Sequence, residues 1–204
     1  WRAYPERVRG DGDGWVVSHT GTPYWGRHGA VGLLLRAPQP DGTPAVLLQH
    51  RAPWSHQGGT WALPGGARDS HETAEQAAVR EAHEEAGLPA EVVHVRATVV
   101  TAEVSGPGGA VWTYTTVVAD APHLLDTVPN RESSELRWVA EDEVIGLPLH
   151  PGFADSWDSL RITSTLSPDD HDDCLQPLPH TVEITTGVFA WCRAEISRQQ
   201  PAPH

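Results

Sequence analysis

A chain of 204 residues is long enough for one well-buried core and too short for two ordinary domains. Its net charge of −13, with all fourteen basic residues arginine, excludes the basic stripe that grips DNA or RNA, so no nucleic-acid polymer is expected as partner. No apolar run reaches membrane-spanning length, no charged-then-apolar leader opens the chain, and Cys174 and Cys192 form no CxxC pair, which leads us to expect a reduced, soluble, cytoplasmic protein with no membrane partner.

Residues 1–28 are rich in Gly, Asp and Arg, with Trp15-Val16-Val17 the one strand-like patch. They read as an N-terminal extension packed on the domain. The chain holds no methionine, so its native start is expected to have been removed or to lie upstream of Trp1. Residues 29–36 form a continuous apolar run suited to a buried strand. A Pro- and Asp-Gly-containing turn leads to a second strand over residues 45–51, and the two predict a hairpin. A polar, Gly-rich loop and the segment Trp61-Ala-Leu-Pro-Gly-Gly66 precede a helix expected over residues 73–86.

That helix is the most firmly marked element. Thr73 is placed to cap it, with Gln76 three residues on to complete a capping box. Ala74, Ala77, Ala78 and Ala82 give a small-residue face that lets the helix lie close to a sheet. Gly87 suits the left-handed position just past its end, and Pro89 prevents continuation. Residues 91–103 and 110–119 then read as two strands joined by a Gly-Pro-Gly-Gly hairpin loop. A short strand follows over 136–139, a helical turn over 141–145 and a helix over 152–160. Residues 29–163 thus make up the main domain. Residues 164–204 read as a C-terminal extension, irregular over 164–179 and of undecided secondary structure over 181–199.

The expected helix carries Glu81, Glu84 and Glu85 at i, i+3 and i+4, so the three acids share one face. Like charges on adjacent turns repel, and hard divalent cations such as Mg²⁺ or Mn²⁺ prefer carboxylate oxygens. A solvated acidic face is the plainer reading of such a cluster. Against it stand Glu72 ahead of the helix, Arg80 beside the acids, and the Pro-Gly-Gly turn leading in.

Gly66, Glu72, Arg80, Glu81, Ala82, Glu84, Glu85, Gly87 and Leu88 fill every constrained position of G-x(5)-E-x(7)-R-E-U-x-E-E-x-G-U, with U aliphatic. On these residues the chain resembles the Nudix hydrolases, which cleave nucleoside diphosphates linked to a further group. The resemblance implies an α+β fold, the Nudix α/β/α sandwich with a mixed β-sheet. It implies Mg²⁺ (or Mn²⁺) as cofactor, with Glu81, Glu84 and Glu85 as ligands and the backbone carbonyl of Gly66 as a further one. Glu72 is placed with the metal-site residues in a supporting role, and Arg80 is expected to orient the carboxylates. Glu84, Glu85 and Arg80 are thereby catalytic candidates.

The base lies outside the box. By the same resemblance Glu132, on a loop six residues before Trp138, is the leading candidate, with Glu103 and Glu135 as competitors. Arg51 and Trp54 are the candidate substrate-binding residues, Trp54 as a platform for a base. Trp61 and Trp112 are also near the expected cleft, Trp61 as a packing residue. His50, His56, His71 and His83 flank the box without an HxH or HExxH pair, which favours loop and surface roles over metal ligation.

Markers of several Nudix subfamilies are absent. What remains is a MutT-like enzyme acting on a small diphosphate-containing substrate. A (deoxy)nucleoside triphosphate, oxidised ones included, would give monophosphate and pyrophosphate. A pathway-specific pyrophosphatase on a sugar nucleotide or prenyl diphosphate is the enzymatic alternative, and a non-catalytic ligand sensor the other. A homodimer fits the family, though no sequence feature establishes one.

Overall fold

The computed structural model describes residues 10–165. The expectations for residues 166–204, Cys174 and Cys192 among them, lie outside the described residues, as does the start of the N-terminal segment. The described part opens with an antiparallel ribbon, β1 (Trp15–Val17) and β2 (Pro23–Trp25). There follow β3 (Ala30–Pro38), β4 (Pro44–Arg51), β5 (Trp61–Ala62), β6 (Gly65–Ala67) and helix α1 (Ala74–Ala86). Then come β7 (His94–Ser105), β8 (Val111–Asp120), β9 (Ser133–Ala140) and helix α2 (Pro151–Thr165). Sequence periodicity identifies the long elements. It misses β2, β5 and β6, which at two or three residues are too short to show a period, and it expects too short a β9.

The seven-stranded sheet is mixed. β3 runs parallel to β8, while β4, β6, β7 and β9 join their neighbours antiparallel. Strands β3 and β4 pair only near their connecting turn, Arg36 to Pro38 with Val46 to Pro44. Beyond that they part, and the 61–67 segment fills the gap. Its first residues pair with β4 at Gln49 and His50, and its last pair with β3 at Ala30 to Gly32. The Pro64-Gly65-Gly66 turn is therefore wedged into the sheet, tied by Leu33 N–H to the Pro64 carbonyl at 2.9 Å.

Both faces of the sheet are covered, which explains why β3 is apolar from Ala30 to Leu35 instead of alternating. On one face Ala77, Ala78, Ala82 and Ala86 of α1, all fully buried, pack on Leu33, Leu35, Leu47 and Val117. Side chains this small bring the helix axis close to the strands, and with it the acids on its flank. On the other face Phe153, Trp157 and Leu160 of α2 cover Leu34, Val46, Leu48 and Val118. This is the α/β/α sandwich expected from the sequence.

The ends of α1 are built as expected. Thr73 accepts from Gln76 N–H while the Gln76 side chain accepts from Thr73 N–H, so the box is closed. Gly87 has φ 69°, a conformation that a side chain would strain.

Candidate active site

The box helix and the wedge meet along one edge of α1. Glu85 is buried at 3% exposure and accepts from Gly65 N–H at 2.8 Å. Gly66 lies directly on the Glu81 carboxyl: a Cβ built there would come within 2.6 Å of its carbon. Only a residue without a side chain leaves that approach open. Glu84, one turn along, is exposed and stands 3.8 Å from Arg80.

Arg80 organises the acids. Its Nε and one terminal nitrogen bind both oxygens of Glu72 at 2.6 and 2.9 Å, a bidentate pair. Its other terminal nitrogen donates to Glu81 at 2.8 Å, and the Ala67 carbonyl accepts a fourth bond at 3.0 Å. Hydrogen bonding from Arg80 lowers the Glu72 carboxyl, and Glu72 in turn raises the guanidinium. Glu72 Oε2 also accepts from Asp69 N–H at 3.1 Å. Glu72 thus faces Arg80 with both oxygens, an arrangement that suits an anchor for the arginine and leaves it poorly disposed as a direct metal ligand.

The loop carrying Glu132 is fastened to the end of α1 through carbonyls that the helix leaves without internal partners. Val128 N–H binds the Ala86 carbonyl at 2.9 Å, and Asn130 N–H binds that of Glu85 at 3.2 Å. The Asn130 side chain accepts from Glu132 N–H at 2.8 Å, and the Glu132 carbonyl accepts from Ala52 N–H at 2.9 Å. Glu132 is exposed, yet its charge reaches Glu85. Burial above all pushes Glu85 up to about 8; the Gly65 hydrogen bond opposes the shift, the charges of Glu81 and Glu132 add to it, and the nearby Gln49 amide counters it slightly. The competitors are placed differently: Glu103 is exposed on β7, paired across to Thr113, and Glu135 is 3.7 Å from Arg137.

A basic edge adjoins the acids. Arg51 Nε donates to the His56 carbonyl at 2.9 Å, and the rings of His56 and His150 are 6.3 Å apart. Burial, then the charges of Arg51 and His56, push His150 down to about 4. Its Nδ1 accepts from Gly152 N–H at 3.2 Å, so this neutral ring carries its proton on Nε2. Half-buried Tyr114, raised to about 12 chiefly by desolvation, feels the charges of both Arg51 and Glu85. Trp54 is 69% exposed. Trp61 is a packing residue, with the His50 ring stacked on it at 4.7 Å and the Arg137 guanidinium over its ring at 4.3 Å. Trp112 packs on Tyr24 and donates to the Trp25 carbonyl. Gln49, Tyr114 and His150 escape sequence reasoning; the sole hint is an amide closing the apolar run of β4.

The donor set fits a hard divalent cation. A buried carboxyl is crowded by two further acids, and the glycine beside Glu81 leaves room that a Cβ would fill. A second group, Asp11, Asp69 and His71, has ligand atoms within 4.8 Å of one another. There the carboxylates accept from Ser70 and Gly12 and so staple the N-terminal segment to the loop before α1.

Residues 26–161 match the NUDIX domain family. The chain belongs to the Nudix hydrolases. It is accordingly an enzyme of diphosphate bonds, in a family that generally uses divalent metal. A Mycobacterium tuberculosis protein named "Putative 8-oxo-dGTP diphosphatase 3" is 69% identical over 202 residues, 98% of this chain and 93% of that one. A crystal structure of a Nudix hydrolase from M. smegmatis, RenU, is 74% identical, with TM-score 0.74, covering 76% of this chain and 98% of that one. A nucleoside triphosphate pyrophosphatase/Nudix hydrolase fusion protein of Bifidobacterium longum is 40% identical over 74% of this chain and 31% of its own length. Among the described residues no helix is long and apolar enough to cross a membrane.

Proposed function

We propose that this Nudix hydrolase cleaves oxidised purine nucleoside triphosphates such as 8-oxo-dGTP, giving the monophosphate and pyrophosphate. The observation that carries the chemistry is the convergence of Glu81 and Glu85 on the wedged Gly65-Gly66 turn, with Glu132 near enough for its charge to act on Glu85. The choice of substrate is supported by the name borne by the M. tuberculosis relative. Glu81, Glu84 and Glu85, with the Gly66 carbonyl, would hold Mg²⁺. Such an ion supplies charge neutralisation for the phosphates and Lewis acidity.

The chain's own residues supply the rest. Arg80 holds Glu81 in place, and Glu72 holds Arg80. Glu132, on its fastened loop, takes the proton from the attacking water. One new P–O bond forms, one bridging P–O bond breaks, and pyrophosphate leaves. Arg51, His56 and the Nε2–H of His150 receive phosphate oxygens along the basic edge. Trp54, exposed on the adjoining loop, stacks on the base.

The test is a Mg²⁺-dependent assay of 8-oxo-dGTP, dGTP, a sugar nucleotide and a dinucleotide, with products separated and the reaction run in ¹⁸O-water. The expected result is 8-oxo-dGMP and pyrophosphate, with a higher kcat/KM for 8-oxo-dGTP than for dGTP. Failure to cleave any of the four would overturn the proposal; preference for the sugar nucleotide would replace its substrate.

A further inference from the structure

Gln49 sits on the same face of β4 as Leu47, which packs in the apolar cluster under α1. It is 1% exposed. Its Nε2 donates to Ser133 Oγ at 2.8 Å, while its Oε1 has no hydrogen-bond partner among the described residues. A buried acceptor left so costs about 1–3 kcal/mol. A leucine or methionine there would avoid that cost, so packing alone does not account for an amide at this position.

The amide's neighbours give it another role. The Gln49 amide lies beside the Glu85 carboxyl and favours its charged form. Ser133 in turn reaches Asn130, by N–H to carbonyl at 3.4 Å and by Oγ to Oδ1 at 3.5 Å. Asn130 binds the Glu85 carbonyl and the Glu132 N–H. A chain of hydrogen bonds results, from Gln49 through Ser133 and Asn130 to the Glu85 backbone, with the Glu85 carboxyl beside the amide at its start. One amide spans from the helix carboxylate to the loop that carries Glu132.

We propose that Gln49 is a positioning residue, which fixes the Glu85 carboxylate and the Glu132 loop at one separation through Ser133 and Asn130. It touches neither substrate nor the reacting atoms. The inference rests on the proposed metal role of Glu85. Partners behind metal ligands are worth about 10–100-fold in affinity or activity when removed.

The test uses Gln49→Met, close in shape and unable to hydrogen-bond, and Ser133→Ala, which removes a single hydroxyl and keeps the experiment decisive should the first variant fold poorly. Mn²⁺ affinity of the free protein is measured by electron paramagnetic resonance, Tm in chelator, and kcat and KM with 8-oxo-dGTP. For Gln49→Met we expect Mn²⁺ affinity and kcat to fall about 10–100-fold with KM little changed. Its Tm in chelator should be equal to or above wild type, since an unsatisfied acceptor has gone. Ser133→Ala should show a smaller loss of the same kind. Wild-type Mn²⁺ affinity in the folded variants, with or without a lower Tm, overturns the inference and leaves the metal role of Glu85 standing. A wild-type protein that binds no Mn²⁺ overturns both.

Discussion

Glu85→Gln is expected to stabilise the metal-free protein and weaken the metal-loaded one. The substitution keeps an oxygen to accept from Gly65 N–H and removes a charge that burial, Glu81 and Glu132 all oppose. Below pH 4.5 the carboxyl is protonated in both the folded and unfolded chain, and wild type loses nothing. As pH rises the unfolded chain gives up the proton, while the folded one retains it until about 8. The folded state therefore loses ground across that window and the loss levels off above it. At about 1.4 kcal/mol per pH unit, the loss at pH 7 is on the order of 3 kcal/mol. In a chain of this size that corresponds to about 6–12 °C in Tm. The assay is thermal unfolding of both proteins in chelator from pH 4 to 9, repeated with Mg²⁺. Glu85→Gln should be the more stable at pH 7 in chelator, with a flatter pH profile, and should gain less from Mg²⁺. Equal pH slopes, or a less stable variant in chelator, would refute the view of Glu85 as a buried acid awaiting a cation.

Three further outcomes are expected. Glu132→Gln should lower kcat by about 10²–10⁴-fold with Tm unchanged, whereas Glu103→Gln and Glu135→Gln should stay close to wild type; kinetics of the three variants separate them. Arg80→Lys cannot reproduce the fork that holds Glu72, Glu81 and the Ala67 carbonyl together, so Mg²⁺ affinity, read by isothermal titration, should fall about tenfold or more. His150, pushed down to about 4 from 6.5, contributes stability that is present above pH 6.5 and is lost as pH falls towards 4. His150→Ala should flatten that acid limb in a pH series of urea titrations.

What the sequence discloses here follows from how local each constraint is. Thr73, Gln76 and Gly87 act within a turn or two of chain, so the limits of α1 are readable from their order. Acids at i and i+4 share a helix face whatever surrounds them, so Glu81 and Glu85 are placed before any fold is known. The apolar run of β3 announces a strand covered on both sides. Other features need the tertiary arrangement. Nothing in residues 45–51 tells that β4 leaves β3 after three residue pairs, so neither the wedge of residues 61–67 nor the burial of Gln49 is visible beforehand. His150 comes near Arg51 and His56 only because its N–H binds the carbonyl of Trp61, which pairs with His50 at the end of β4. Glu72 shows the limit of a motif: its fixed spacing marks it as part of the site, and only the bidentate contact with Arg80 shows what occupies its oxygens. The N-terminal segment teaches the same lesson, since Trp15–Val17 finds its partner in Pro23–Trp25, a strand too short to be read.

The central claim is that the edge of α1 facing the Gly65-Gly66 turn is a divalent-cation site. Anomalous diffraction from crystals soaked in Mn²⁺ tests it most directly. The account predicts a peak bounded by Glu81, Glu84, Glu85 and the Gly66 carbonyl, lost in Glu85→Gln. A peak confined to Asp11, Asp69 and His71, or none beside α1, would contradict it.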